Sequence, residues 1–244
     1  MICSWQPKQL ARPTTTTRGA DGFSWQAMQF PFMSRFSILH RPLDVLGFPI
    51  VEHAVTTEES EATVRSLREK AGAIIAVGAC ATTAGIPGMA AEGFLERPGQ
   101  VYDRVPSACG DMVAPRAVGA VIDVDFEVRA CPIDSYDFID VLQRALYGSN
   151  KTYPSRTMCG DCKRNETSCF FGKGQLCLGL VTTAGCGAKC VNLGRPCNGC
   201  RGLSPDANLA SAREAVARYG VSVADFDQAL EMFNQTNPAL AGSE

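Results

Sequence analysis

What this 244-residue chain has little of closes off several functions. It has no block of five like charges, and its net charge is −2. Nucleic acid and anionic membranes are therefore poor fits as main partners. No apolar run reaches the ~18 residues a membrane-spanning helix needs. No G-x-G-x-x-G follows a strand-like run and no G-K-[ST] occurs, so nothing points to NAD or ATP bound by this chain itself. The start lacks the charged-then-apolar pattern of a secretory signal. Histidine is nearly absent: His40 and His53 are not spaced with the cysteines and read as structural. Hydrophobic content of 45 % with 20 % charge is that of a globular protein.

Cysteine is what the chain has in excess. Eight of its twelve cysteines fall between Cys159 and Cys200. Two Cys-x-x-Cys pairs, Cys159/Cys162 and Cys197/Cys200, bracket Cys169, Cys177, Cys186 and Cys190. A stretch so rich in Gly and Cys and so poor in large aliphatics is expected to bury little apolar surface, leaving disulfides or metal to fold it. Eight thiols suit two four-thiolate sites, and thiolate is the ligand favoured by zinc, Cu(I) and iron–sulfur clusters. Nothing else suggests the secreted setting of a disulfide knot. A zinc ribbon sets its pairs about 15–20 residues apart. Here the pairs lie wider and the intervening gaps are irregular, which favours clusters over zinc without removing zinc. Thiols kept as ligands point to a reducing compartment, hence the cytoplasm.

Residues 1–40 hold one acidic residue, Asp21, and a run from Thr14 to Thr17. They follow neither the helical nor the strand period. Three readings stand: a poorly ordered extension, a misread frame, or the acid-poor pattern of a transit peptide. From Leu43 the pattern becomes ordered. LDVLGFPIV is a strand ending at Glu52, and Thr56 and Glu59 have capping-box spacing for a helix to about Lys70. Ala73–Val77 is a continuous apolar strand leading into the small-residue loop GACATTAGIPG. Residues 92–120 are weakly patterned. Asp125–Ala130 is the next strand, followed by Cys131-Pro132. Ser135 then caps a helix with Phe138, Val141, Leu142, Ala145 and Leu146 on one face. GSNKTYP links to the cysteine segment. Two helices close the chain, one over about Asn208–Tyr219, stopped by Gly220, and one capped by Ser222. This is βαβ logic: an α/β parallel-sheet domain over 41–150 and a loop-rich cysteine domain with short helices over 151–244.

Cys80 and Cys131 each follow a strand. A parallel sheet would bring both to one edge, where open α/β sheets place their sites. Each alone reads as a buried small hydrophobe; together, upstream of a metal segment, they read as ligands. Glu52 ends a strand near the same edge and is the one candidate for proton relay, its other reading being a solvated strand end. Cys109 reads as inert and Cys3 as a bystander. Asp134, Asp137 and Asp140 read as a helix start and a polar face.

VGACATTAGIPG followed by VDFEVRACPID resembles the small subunit of [NiFe] hydrogenases, relatives of the 20 kDa subunit of NADH:ubiquinone oxidoreductase. The segment CGDCKRNETSCFFGKGQLCLGLVTTAGCGAKCVNLGRPCNGCRG resembles the cluster-binding region of the cytosolic sulfhydrogenase delta subunits, and the likeness covers about residues 43–235. It implies a flavodoxin-like α/β fold followed by an iron–sulfur domain. It also implies a distal [4Fe-4S] cluster on Cys159, Cys162, Cys169 and Cys177, and a medial one on Cys186, Cys190, Cys197 and Cys200. Cys80 and Cys131 match two of the four ligands of a third, proximal cluster. The implied role is electron transfer in an oxidoreductase. The catalytic nickel–iron centre would lie on a partner large subunit, and further iron–sulfur/flavin NAD(P)-reductase subunits would accept electrons. The family's other two proximal ligands come from an N-terminal Cys-x-x-Cys, and no such pair occurs in residues 1–79. A shifted frame or start over residues 1–40, or loss of the proximal cluster, accounts for that. Two alternatives to this role stand: a zinc-stabilised interaction module, or the small subunit of a quinone- or deazaflavin-linked oxidoreductase.

Overall fold

The computed structural model describes residues 47–90, 96, 98–102, 110–148 and 154–241, all within one compact unit, Leu43–Glu244. Readings that fall on residues 1–40, on Leu43, on Cys3, His40 and Cys109, and on the 149–153 linker lie outside these residues, as does the expected domain boundary at 150/151.

The strand β1 (Ile50–Val51) is followed by β2 (Val55–Thr57), which runs into helix α1 (Glu58–Lys70). The capping box sits one residue later than its spacing suggests. Thr57 Oγ1 accepts the Ser60 N–H at 3.1 Å, and Ser60 Oγ accepts the Thr57 N–H at 3.0 Å. Serine, with one short hydroxyl, serves in the place where a glutamate was expected. Then come β3 (Ile75–Val77) and two short helices, α2 (Gly78–Thr83) and α3 (Gly85–Gly88). GACATTAGIPG is thus not a loop. Its alanines favour helix, and Thr82 and Thr83 return their hydroxyls to the carbonyls of Gly78 and Ala79.

The helical turn α4 (Pro98–Val101) precedes β4 (Met112–Arg116), a strand the weak patterning of residues 92–120 concealed. It pairs antiparallel with β2, with an irregular register between Val55 and Thr57. Pro115 has no N–H to give, and a two-stranded ribbon, being all edge, tolerates that. β5 (Phe126–Val128) and α5 (Ser135–Tyr147) complete the α/β part. The N-cap of α5 is Asp134 rather than Ser135: Asp134 Oδ1 accepts the Tyr136 N–H at 2.8 Å.

β1, β3 and β5 form a parallel sheet with β3 in the middle, Val51 beside Ala76 and Val77 beside Val128. The expected α/β class holds. Alternation along β3 puts Ile74 and Ala76 into one core with Val51, Val64 and Val118. Ile75 and Val77 go into another core with Val128 and Val141. Both faces being covered explains why the strand reads as an unbroken apolar run.

The cysteine segment carries α6 (Cys159–Arg164) and α7 (Lys189–Asn192), and α8 (Leu209–Arg218), α9 (Val223–Asn234) and α10 (Pro238–Ala241) follow. The segment buries more apolar surface than its composition suggests. Phe170, Phe171, Leu178 and Val181 meet Ala212, Val216, Phe226 and Leu230 of α8 and α9 in a third core. Each fully buried side chain of this size contributes about 1.5–3 kcal/mol. The terminal helices therefore supply what the Gly/Cys stretch lacks. α9 also reaches the α/β part. Just past its end the Thr236 hydroxyl donates to Thr83 O at 3.4 Å, while Asn234, its buried last residue, accepts the N–H of Leu203 in the cysteine part at 2.9 Å.

Candidate metal centres

All three strands of the parallel sheet end at one edge, where Glu52, Cys80 and Cys131 follow them. Glu52 is partly exposed, with His53 Nε2 3.9 Å from its carboxylate. Cys80 sits in the first turn of α2, and Ala79 donates to Ala130 O at 3.1 Å, which ties that turn to the Cys131 loop. Gly85, in a left-handed conformation, permits the approach of α3. A Cβ there would lie 3.0 Å from Cys80 N and 3.1 Å from Ala79 C. The Cys80 thiol is half-buried, and burial, then the Cys131 thiol beside it, push its pKa up. Cys131 is exposed. Among the described residues this edge offers two thiols, too few for a four-thiolate cluster. The residues present do not fit a complete proximal site.

The second constellation brings four thiols to one cavity. Cys159 and Cys162 project from α6, and with Cys169 and Cys177 they line a cavity of about 100 Å³. Burial first, and then the nearby Cys177, Cys162 and Cys169 thiols, push the Cys159 thiol up to about 11. Cys162 is likewise raised, by burial and then by Cys177. The carboxylate of Asp161, between them, is buried. It accepts Arg156 Nη2 at 3.0 Å, the Gly185 N–H at 3.1 Å, and Arg164. Burial opposes its ionisation, yet these three donors hold it below the ordinary carboxylate range.

The third constellation adjoins the second. Burial raises the Cys200 thiol, partly offset by the backbone N–H of Cys131, and the Cys186 and Cys190 thiols raise it further. Burial pushes Cys197 up more strongly, against the Gly199 N–H, which donates to its sulfur at 3.4 Å. Cys197 itself donates its N–H to Cys177 Sγ at 3.3 Å. Cys197 therefore faces both sets, whereas Cys186, Cys190 and Cys200 group by themselves. These three with Cys197 against them, and four thiols round the cavity, offer the donor set of a cluster in each place. All ten described cysteines are free thiols. Among the described residues no three His, Cys, Asp or Glu side chains converge on a position for a single ion.

Asp161 and Arg201 were not legible as site residues. Arg201 is 1 % exposed although it follows Cys200 in a polar-looking stretch. Its place beside a Cys-x-x-Cys was the signal available.

The family model described as NADH ubiquinone oxidoreductase, 20 Kd subunit, matches residues 23–145. That span holds Cys80 and Cys131 and stops short of Cys159. It starts well before Leu43, where the ordered pattern of the sequence begins. The chain is 32 % identical over 173 residues to the sulfhydrogenase 2 subunit delta of Pyrococcus furiosus, covering 68 % of this chain and 70 % of that one. It is 27 % identical over 220 residues to a subunit of the F420-non-reducing hydrogenase vhu of Methanocaldococcus jannaschii, covering 76 % and 75 %. Among solved structures, a chain of an NAD+-reducing [NiFe]-hydrogenase in the H2-reduced state aligns with TM-score 0.40 and 24 % identity, over 44 % of this chain and 67 % of that one.

Proposed function

The chain belongs to the family of the NADH ubiquinone oxidoreductase 20 Kd subunit, and on that premise we propose that it is the electron-transferring small subunit of a [NiFe] hydrogenase. It works beside a large subunit that holds the nickel–iron centre, and it serves an iron–sulfur/flavin partner that reduces NAD(P), in the cytoplasm. Four thiols lining one cavity, directly beside a second group of four, carry this reading. Cys159, Cys162, Cys169 and Cys177 hold one [4Fe-4S] cluster, and Cys186, Cys190, Cys197 and Cys200 hold another. When bound, such a cluster takes up and releases one electron, at a potential set by charge, hydrogen bonds to sulfur and solvent exposure.

The chain's own residues set those conditions. Phe170, Phe171, Leu178 and Val191 exclude water round the first set. The Cys197 and Gly199 N–H groups donate to sulfur. The thiol-bearing positions run from the sheet edge outward: the Cys131 N–H meets the Cys200 sulfur, and the Cys197 N–H the Cys177 sulfur. A line of this kind suits passage between a partner at the sheet edge and one at the Cys159 end. No step is assigned to the two-thiol edge itself.

The test is metal and sulfide analysis of anaerobically purified full-length chain. About eight irons with matching sulfide per chain are expected from two four-iron sites. Two zincs without sulfide would overturn the reading.

A further inference from the structure

Arg201 is the most deeply buried charged side chain among the described residues and lies between the Cys131 loop and the Cys186 loop. Its Nη1 donates to Asp137 Oδ2 at 2.8 Å and to Arg129 O at 2.9 Å, two residues before Cys131. Its Nη2 is pressed against Gly185, next to Cys186; a Cβ on that glycine would stand 2.9 Å from the nitrogen. Its own chain neighbour is Cys200. The guanidinium thus touches backbone flanking three of the thiol-bearing positions.

Nε and Nη2 have no acceptor among the described residues. An unanswered buried donor is costly, and more so when it is charged. Two such donors on one guanidinium call for an acceptor, either an ordered water or a bound group. A free anion from solvent is a poor candidate. The same guanidinium borders a cavity of about 420 Å³, but the cations on its wall, Arg144, Lys189 and Arg201, face Asp140, Asp134 and Asp137 there, which leaves no surplus positive charge for an anion. A thiolate-ligated cluster is anionic, carries sulfur acceptors, and belongs to residues adjoining the guanidinium on two sides.

Resting on the two-cluster reading above, we propose that Arg201 is the tuning cation of the cluster held by Cys186, Cys190, Cys197 and Cys200: its Nε and Nη2 donors answer sulfur there, and its fixed charge favours the reduced state. Asp137 is the positioning residue that aims the guanidinium and partly neutralises it. Reduction adds an electron to an already anionic group, so a neighbouring positive charge raises the potential, and its removal lowers it.

The experiment is an EPR-monitored redox titration of the anaerobic full-length chain, with iron and sulfide determined on each sample. In Arg201→Gln, iron and sulfide stay at the wild-type level. The reduced-to-oxidised ratio of one cluster falls about tenfold at fixed poise, which is about 59 mV for a one-electron couple. Arg201→Lys keeps the charge without the planar fork and falls less. Asp137→Asn removes the opposing charge and shifts the same signal upward. A fully loaded Arg201→Gln chain with both midpoints unmoved overturns the proposal, as does a shift of the same sign in Arg201→Gln and Asp137→Asn. If Arg201→Gln does not load, Asp137→Asn decides alone, and an unmoved midpoint there overturns it. Wild-type chain without sulfide overturns the two-cluster reading itself, a result distinct from either.

Discussion

Asp161 shows how one side chain can organise both cysteine sets. Its carboxylate lies in α6 between Cys159 and Cys162, yet it holds the Gly185 N–H at the start of the Cys186 loop. Hydrogen bonds to a charged group contribute about 1.5–3 kcal/mol. Asp161→Asn keeps the shape and loses the charge that three donors answer. We expect a loss of about 2 kcal/mol, or roughly 4–8 °C in melting temperature for a unit of this size. Thermal unfolding followed by circular dichroism checks this, and an unchanged melting point would show that the surface arginines hold the loop without Asp161. The thiols differ from one another in a way that chemical labelling reads. Cys131, Cys169 and Cys190 are exposed, whereas Cys177 and Cys197 are 8 % and 9 % exposed. Burial also pushes the Cys197 thiol up, away from its reactive thiolate form. In the cluster-free chain, iodoacetamide should modify the three exposed cysteines first and Cys197 at least an order of magnitude more slowly. Peptide mass spectrometry over a time course decides; equal rates would contradict the buried placement. Arg201 and Asp161 escaped sequence reading for the same reason. Their roles come from partners such as Asp137 and Gly185, distant in the chain, and residue type does not encode pairing. The cysteines were legible because the thiol itself is the chemistry.

Elements were legible where one period dominates. The unbroken apolar run of β3 and the one-sided stripe of α5 come from burial on fixed faces, and both are present where expected. α2 was not legible, because a run of Gly, Ala and Thr carries no apolar period and its helix is held by packing. β4 was hidden by Pro115 and by a partner, β2, that lies far back in the chain. One ion pair ties the end of α1, already packed on the sheet through Val64, to the segments that enter β3 and β5. Arg68 Nη1 donates to Asp125 Oδ2 at 2.5 Å and to Asp123 O at 3.1 Å, and its Nη2 donates to Ala71 O at 2.9 Å. The same Asp125 oxygen accepts the Ile74 N–H at 2.7 Å. Partial burial works against the charge on Asp125, but Arg68 and the Ile74 N–H outweigh it and hold the carboxyl below its ordinary range. The sign follows from linkage. A carboxylate depressed in the folded state stabilises fully above its unfolded pKa of about 3.9. That stability is lost as pH falls through the lower, folded value. Asp125 is 38 % exposed, so solvent screening limits the contribution to about 1 kcal/mol. Asp125→Asn should therefore be less stable than wild type at pH 7, with the gap closing below about pH 4. Denaturant midpoints at pH 7, 4 and 3 test this; a gap that stays constant to pH 3 would exclude the ion pair as its source.

For the whole molecule, the arrangement of the sheet decides which surface is left for a partner. All three parallel strands deliver their chain to one edge, and α2 and α3 fold back there after Cys80. The residues that follow are apolar and uncovered: Ile86 is 49 % exposed and Met89 40 %. Solvent-facing apolar residues scattered singly need no explanation. A pair beside a thiol-bearing edge is a different matter if that edge meets a large subunit, as the proposed function requires. The C-terminal helices do not cover it, because α9 packs against the Gly88 side of α3, where Thr236 approaches within 3.4 Å of a Cβ built on Gly88. An acidic pair at this place would be solvated in the free chain and would have to be desolvated in a complex. Ile86→Asp with Met89→Asp should therefore leave the iron content and melting temperature of the isolated chain within error of wild type. Capture by a co-expressed nickel–iron large subunit should weaken at least about tenfold, the scale of a single interface hot spot. Leu193, 83 % exposed beside Cys190 in the middle set of the thiol line, is the matched control. Leu193→Asp should leave large-subunit capture intact. Equal loss in both variants would mean that added charge, not position, weakens association. Undiminished capture of the Ile86/Met89 variant would remove the sheet edge as the docking face.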